Sequence, residues 1–178
     1  SSIRFKIGEK EEKNMLKMTM PGRFKLQKFL KDAVKAGCKY AIIEVTSEGI
    51  KQYRHKFIDF DGAVFTNLTK EHIEAHKGFE NYKKAKGKLF HSIKKFSVIN
   101  IDDENADYFL DLSKGVRVYT YGIKKDAEIT PEKINLQISL LGEFNVYNSL
   151  AAACMGLSQG IELPEILEVL RNAKGIPG

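Results

Sequence analysis

Apolar and polar positions along this chain recur with two different periods, and the switches between them mark its elements. Residues 3–7 and 14–18 alternate every second position on either side of a charged stretch at 8–12, which predicts a β-hairpin. From 23 to 36, Phe24, Phe29, Leu30, Ala33 and Val34 form a helical stripe that Gly37 stops. YAIIEV (40–45), GAVFTNL (62–68) and FSVINI (96–101) are short apolar runs, as strands buried on both faces require. A helical segment at about 79–94 separates the last two. A helix near 104–112, a strand at RVYTYG (117–122) and another at INLQISLLG (134–142) follow. NVYNSLAAACMGLS (145–158) and PEILEVLRNA (164–173) read as helices, the second opened by Pro164 in its first turn.

Apolar strands alternating with helices predict an α/β fold: an open, mostly parallel sheet with helices on both faces. Ligands of such sheets bind at the carboxyl ends of the strands. That rule selects the stretch from Glu44 to Ser47, then Thr66 with Asn67, and Asp102 with Asp103.

Length and composition narrow the class without changing this picture. A chain of 178 residues is one ordinary domain, long enough to bury roughly 70% of its unfolded surface. Its 43% hydrophobic and 29% charged residues are those of a soluble globular protein. No apolar run approaches the roughly 20 residues of a membrane span, and no signal-peptide pattern opens the sequence. Cys38 and Cys154 lie far apart in apolar or small-residue segments and read as reduced core residues, so a cytoplasmic setting is expected. Net charge is +6, and 24 of the 29 basic residues are lysines. Such a surface favours small anionic partners. With no arginine cluster and no aromatic platform interleaved with the charge, neither nucleic acid nor membrane is expected as a partner. A monomer is expected.

Candidate chemistry starts from one misplaced lysine. On a helical wheel of 79–93, Phe79, Tyr82, Leu89, Phe90 and Ile93 make one apolar stripe, and Lys86 falls inside it. Lys84, Lys88 and Lys95 lie opposite. Lys86 is either a snorkelling side chain or a buried amine with a depressed pKa. A neutral amine can be modified by carbon dioxide to an anionic carbamate, which would convert a misplaced cation into a metal ligand. His72 and His76 stand four residues apart and share a helical face. Their His-x-Glu-x-His order is not the metalloprotease spacing, so zinc and a plain surface or capping role both stay open. Glu44 ends an apolar run, where an ionised carboxylate needs a partner or a metal. Oxygen ligands suit magnesium with phosphates better than zinc.

At these residues the sequence resembles the central, ATP-binding domain of the Mur ligase family. Within it, the chain is most similar to the branch that adds the third residue of the peptidoglycan stem peptide. The resemblance rests on EVTSEGIKQYR (44–54), FTNLTKEHIEAHKGFENYKKAKGKLF (65–90), VINIDDE (98–104) and GEFNVYNSLAA (142–152), in the family's order and spacing. It implies that Glu44 and His72 bind magnesium and that Lys86, fourteen residues after His72, is the family's carbamylated lysine. It implies ATP as cofactor, with Asn145 and Asn148 at the adenine. Thr46, Gln52 and Arg54, with Thr19 in the substrate loop, would hold a UDP-muramoyl peptide, whose second co-substrate is an amino acid. Lys86, His72 and Glu44 are thereby the implied catalytic set.

The sequence also departs from that family. A GxxGK[ST]-like phosphate loop is absent from residues 1–178; Gly87-Lys88 has neither the spacing nor the following hydroxyl. Met20 stands where a threonine is common, and Thr46 replaces a serine. Residues 1–174 are therefore expected to be an incomplete central domain lacking its first strand and phosphate loop, and 175–178 the start of a linker to an absent carboxyl-terminal domain. This chain alone is expected not to turn over ATP. Two alternatives are a folylpolyglutamate- or cyanophycin-synthetase-like ligase, against which the QYR segment argues, and a non-catalytic nucleotide-sugar-binding module. A zinc hydrolase using His72 and His76 is a more distant reading.

Overall fold

The computed structural model describes residues 4–15, 18–69 and 76–175. The chain forms two compact units, Ser1–Ile58 with His72–Lys88, and Asp59–Glu71 with Leu89–Gly178.

In the first unit, β1 (Arg4–Ile7) and β2 (Lys10–Lys13) form an antiparallel hairpin. The expected second strand at 14–18 is corrected. Gly8, at a φ of 56°, allows a turn so tight that Ile7 sits opposite Lys10. The charged residues read as a turn are themselves the return strand, held by an Arg4–Glu11 ion pair across the ladder. Helix α1 (Arg23–Lys35) follows the predicted stripe only in part. Leu26 and Ala33 are its buried contacts, whereas Phe24 is 93% exposed. Residues 40–46 form no strand, against expectation, and Ile42 is 89% exposed. An apolar run becomes a strand only where a neighbour completes its ladder, and no described strand pairs with this one. Helix α2 (Ser47–Lys51) then begins.

The second unit is built on three parallel strands, β3 (Gly62–Phe65), β4 (Phe96–Asn100) and β5 (Arg117–Tyr121), in the order β3-β4-β5. Central β4 is buried at all five positions. Its alternation serves two layers. Phe96 and Val98 join a core with Tyr121, Leu150, Cys154 and Ile166. The other face carries Ile99, in register with Phe65, whose ring stacks at 3.9 Å on Phe109. Phe109 comes from α4 (Ala106–Leu112), and Phe90, at the end of α3 (Phe79–Phe90), meets it edge-on. Helices α5 (Glu143–Ser158) and α6 (Leu163–Arg171) supply the first layer. The open parallel sheet with helices on both faces is thus as predicted.

Two elements are shorter or absent. Helix α3 stops at Phe90 rather than 94, because Ser92 caps Leu89 through its hydroxyl and its N–H, and the amides of Lys94 and Lys95 bond to Phe60 and Asp61 beside the sheet. Lys95 is therefore not on the helix. Residues 134–142 are not a strand. Asn135 turns through a φ of 50°, and Ile134, Leu136 and Ile138 still face the core while Asn135, Gln137 and Ser139 face outward. The alternation is real but has no ladder. Cys154 is a buried free thiol, its pKa pushed up to about 12 by burial, whereas Cys38 is only half-buried. Among the described residues, no helix is long and apolar enough to cross a membrane.

Candidate functional site

Each unit gathers its own set of candidate residues. In the first, Thr46 caps the short α2: its Oγ1 accepts from the N–H of Gly49 at 3.0 Å. Its own hydroxyl hydrogen stays available to a ligand. A Cβ at Gly49 would stand 2.5 Å from the sulfur of buried Met20, so any larger residue there must displace that side chain. Gln52 and Arg54, both expected at the substrate, bond to each other. Arg54 Nε donates to Gln52 Oε1 at 3.0 Å, and the same guanidinium donates to the carbonyl of Met20 and the sulfur of Met18. The flanking Tyr53 and Phe57 sit at φ values of 55° and 66°, a region bulky side chains rarely enter, so this loop is held in a strained form. Thr19 is half-buried beside Met20.

Helix α3 presents Lys86 half-buried, with its Nζ 5.6 Å from the ring centre of Tyr82, while Lys84 and Lys88 are exposed. Burial holds the Lys86 ammonium below the ordinary lysine range, and the Glu44 carboxylate partly offsets this. His72 lies outside the described residues. His76 is buried and bonded, Nε2 to Ser47 Oγ at 3.0 Å, with its ring against Tyr82. That role was missed in the sequence, although a histidine three residues before an apolar stripe is a signal for it. Among the described residues, no three His, Cys, Asp or Glu side chains gather as a ready-made metal cage. A two-histidine zinc centre would need His72, which lies outside the described residues.

In the second unit a cleft of about 290 Å³ opens at the carboxyl ends of all three strands. Thr66 and Asn67 follow β3, Asn100 and Asp102 end β4, and Tyr121 ends β5, with Tyr147 and Asn148 of α5 as the opposite wall. Buried Asn100 locks two strand exits together: its amide donates to Thr66 O at 2.8 Å and its Oδ1 accepts from Asp102 N. Asp103 does likewise, accepting from the N–H of Leu68 at 2.9 Å. Asn148 lines the cleft. Asn145, one turn earlier, does not; its amide donates to Leu141 O at 2.8 Å. Asn100, Tyr121 and Tyr147 were not foreseen. A polar residue closing the apolar run FSVIN was the legible sign of Asn100.

A parallel sheet with a polar cleft at its carboxyl edge places a ligand site where open α/β folds carry one. Residues 2–156 match the Mur ligase middle domain, and the chain belongs to that family. The UDP-N-acetylmuramoyl-L-alanyl-D-glutamate--2,6-diaminopimelate ligase of Bacillus cereus is 36% identical over 203 residues, covering 99% of this chain and 41% of that protein. The UDP-N-acetylmuramyl-tripeptide synthetase of Roseiflexus sp. is 30% identical over 210 residues, with the same coverage of 99% and 41%. A solved structure of a UDP-N-acetylmuramoyl-L-alanyl-D-glutamate--2,6-diaminopimelate ligase superposes with a TM-score of 0.80 at 27% identity, covering 89% of this chain and 37% of that one. The chain spans about two-fifths of the length of the curated relatives it matches.

Proposed function

We propose that this chain is the central domain of an ATP-dependent, ADP-forming ligase that adds the third amino acid to UDP-N-acetylmuramoyl-L-alanyl-D-glutamate in the cytoplasm. The observation that carries the reading is Lys86, half-buried on α3 with its Nζ 5.6 Å from the Tyr82 ring centre, where burial lowers its pKa. In its neutral form the amine attacks carbon dioxide, forming a carbamate and releasing one proton. The product is a second anion in the neighbourhood of the Glu44 carboxylate, which a bound cation would stabilise. The donor chemistry therefore fits magnesium. Glu44, the Lys86 carbamate and His72 would hold that ion, which when bound neutralises charge on the transferring phosphoryl group.

The chain's own residues then bind and orient. Asn148, with Asn145 supporting its turn, faces the adenine end of ATP in the cleft. Thr46, Gln52, Arg54 and Thr19 hold the UDP-muramoyl peptide. The free carboxylate of that peptide takes the γ-phosphoryl group, giving an acyl phosphate and ADP. The incoming amine attacks the acyl carbon, phosphate leaves, and an amide forms with loss of a proton. The protein's contribution is position and electrostatic complementarity.

Residues 1–174 fall within that central domain on this reading. The test is ADP release by the full-length protein with ATP, magnesium, UDP-N-acetylmuramoyl-L-alanyl-D-glutamate and 2,6-diaminopimelate, the amine in the name of the Bacillus cereus relative. Release that needs all four supports the assignment. Turnover of a folate or a poly-aspartate substrate instead, or none with any acceptor, would overturn it.

A further inference from the structure

We propose that Asp102 is a positioning residue that sets the nucleotide end of the cleft without touching the nucleotide. It rests on the reading of that cleft as the adenine end of an ATP site. Asp102 leaves the central strand among the residues that line the cleft, where a bare carboxylate would repel phosphate. It is not bare. One oxygen, Oδ2, accepts from the backbone N–H of Ile123 at 2.6 Å, that of Lys124 at 2.9 Å, and the hydroxyl of Tyr147 at 2.8 Å. The other, Oδ1, accepts from the N–H of Lys125 at 2.8 Å. Four protein donors thus converge on one carboxylate, three on Oδ2 and one on Oδ1.

Three consecutive amides turned toward one point are a concavity built for an anion. In this chain the anion is internal. Gly122 lets the loop close over it, because a Cβ there would lie 3.0 Å from Asp102 Oδ1. Lys125 ties the same loop back to Ile101 O at 2.7 Å, and Lys124 reaches Glu143 in the first turn of α5 at 3.6 Å. Burial acts to raise the Asp102 pKa, but these amides and the Tyr147 hydroxyl outweigh it and hold the carboxyl below its ordinary range.

The second half of the inference concerns α5. Its N-cap is Gly142, with no side-chain cap hydrogen bond. The opening turns are held from elsewhere, by the Asn145–Leu141 bond, the Lys124–Glu143 ion pair and the Tyr147–Asp102 bond. Tyr147 is the residue before Asn148, so the Tyr147–Asp102 bond, added to the core packing of Leu150, Ala151 and Cys154, holds the rotation of the helix that carries Asn148 to the cleft. Asp102 thus fixes two walls at once: the β5 exit loop carrying Lys124, and the helix face carrying Asn148.

The test is steady-state kinetics of the full-length protein for four variants. Asp102→Asn keeps the shape but turns an amide donor toward amide donors. It should raise the KM for ATP about tenfold, a loss of one charge-assisted contact, with kcat within about twofold and the KM for the muramoyl substrate unchanged. Tyr147→Phe, which keeps the ring, should raise the ATP KM about threefold. The double variant should be no worse than Asp102→Asn, because the two share one bond. A merely stabilising carboxylate would lower the melting temperature and leave the ATP KM alone, or weaken both substrates equally; either result overturns the proposal. Asn148→Ala separates the two readings. If it raises the ATP KM and both Asp102→Asn and Tyr147→Phe do not, the positioning role alone is wrong. If Asn148→Ala also leaves the ATP KM unmoved, the nucleotide reading of the cleft falls and this inference with it. Should Asp102→Asn fail to fold, Tyr147→Phe decides.

Discussion

The guanidinium of Arg54 donates to the main-chain carbonyl of Met20, across 34 residues of sequence. It joins two loops that the sequence reading had assigned to one substrate. Arg54 is therefore a brace as well as a candidate contact. Arg54→Ala should weaken binding of the UDP-muramoyl dipeptide by roughly ten- to a hundredfold, the loss of a charge-assisted bond of about 1.5–3 kcal/mol. ATP affinity should be unchanged. Arg54→Lys should not restore it, since an ammonium cannot span Gln52 and Met20 as a planar fork does. Calorimetric titration of both ligands checks this, and equal weakening of the two would refute a substrate-side role.

Lys86 should carry a carbamate in the full-length protein. Labelled bicarbonate should give a carbamate carbon resonance that disappears in Lys86→Ala. The same variant should lose activity on the order of a hundredfold or more, the scale of removing one transition-state stabiliser. Acetate or formate should return part of it by supplying the missing carboxylate. Wild-type rates in Lys86→Ala would end the idea.

Burial of Lys86 also has a pH signature. Its folded pKa lies below its ordinary value of 10.5, so between those two values the unfolded chain binds more protons than the folded one. Stability must then rise with pH across that window, and the burial penalty is felt below it. Urea midpoints measured in bicarbonate-free buffer from the neutral range up to about pH 10 should climb in wild type. In Lys86→Met the climb should be smaller.

Gly142 opens α5 at a φ of 97°, and a Cβ there would meet the Phe144 ring at 2.7 Å. Gly142→Ala should cost about 1–3 kcal/mol of stability by chemical denaturation. It should also raise the KM for ATP, because Phe144 and Asn148 both line the cleft. A neutral substitution would mean the helix start tolerates a shift.

The sheet was legible in the sequence because its strands are apolar on both faces, and the helices because their stripes are regular. What failed shares one cause. YAIIEV and INLQISLLG have strand-like patterns, but a pattern records burial and not pairing, and neither finds a ladder among the described strands. The hairpin was misread for the converse reason, its return strand being wholly charged. At the site, Lys86 was legible because it broke a stripe. Asn100, Asp102 and Tyr147 were not singled out as a group, since their roles depend on bonds spanning 34 and 45 residues. The arrangement of His72 lies outside the described residues.

The complete burial of β4 reaches beyond packing. A strand paired on both edges and covered on both faces can release its amide protons only when the sheet itself comes apart. In hydrogen–deuterium exchange, Val98, Ile99 and Asn100 should therefore be among the last amides to exchange. Asn100 belongs to that slow core and also to the wall of the cleft. The cleft is thus anchored at one point to the least mobile part of its unit, and ligand-induced protection should appear in the loops around Asn100 before it appears at Asn100 itself.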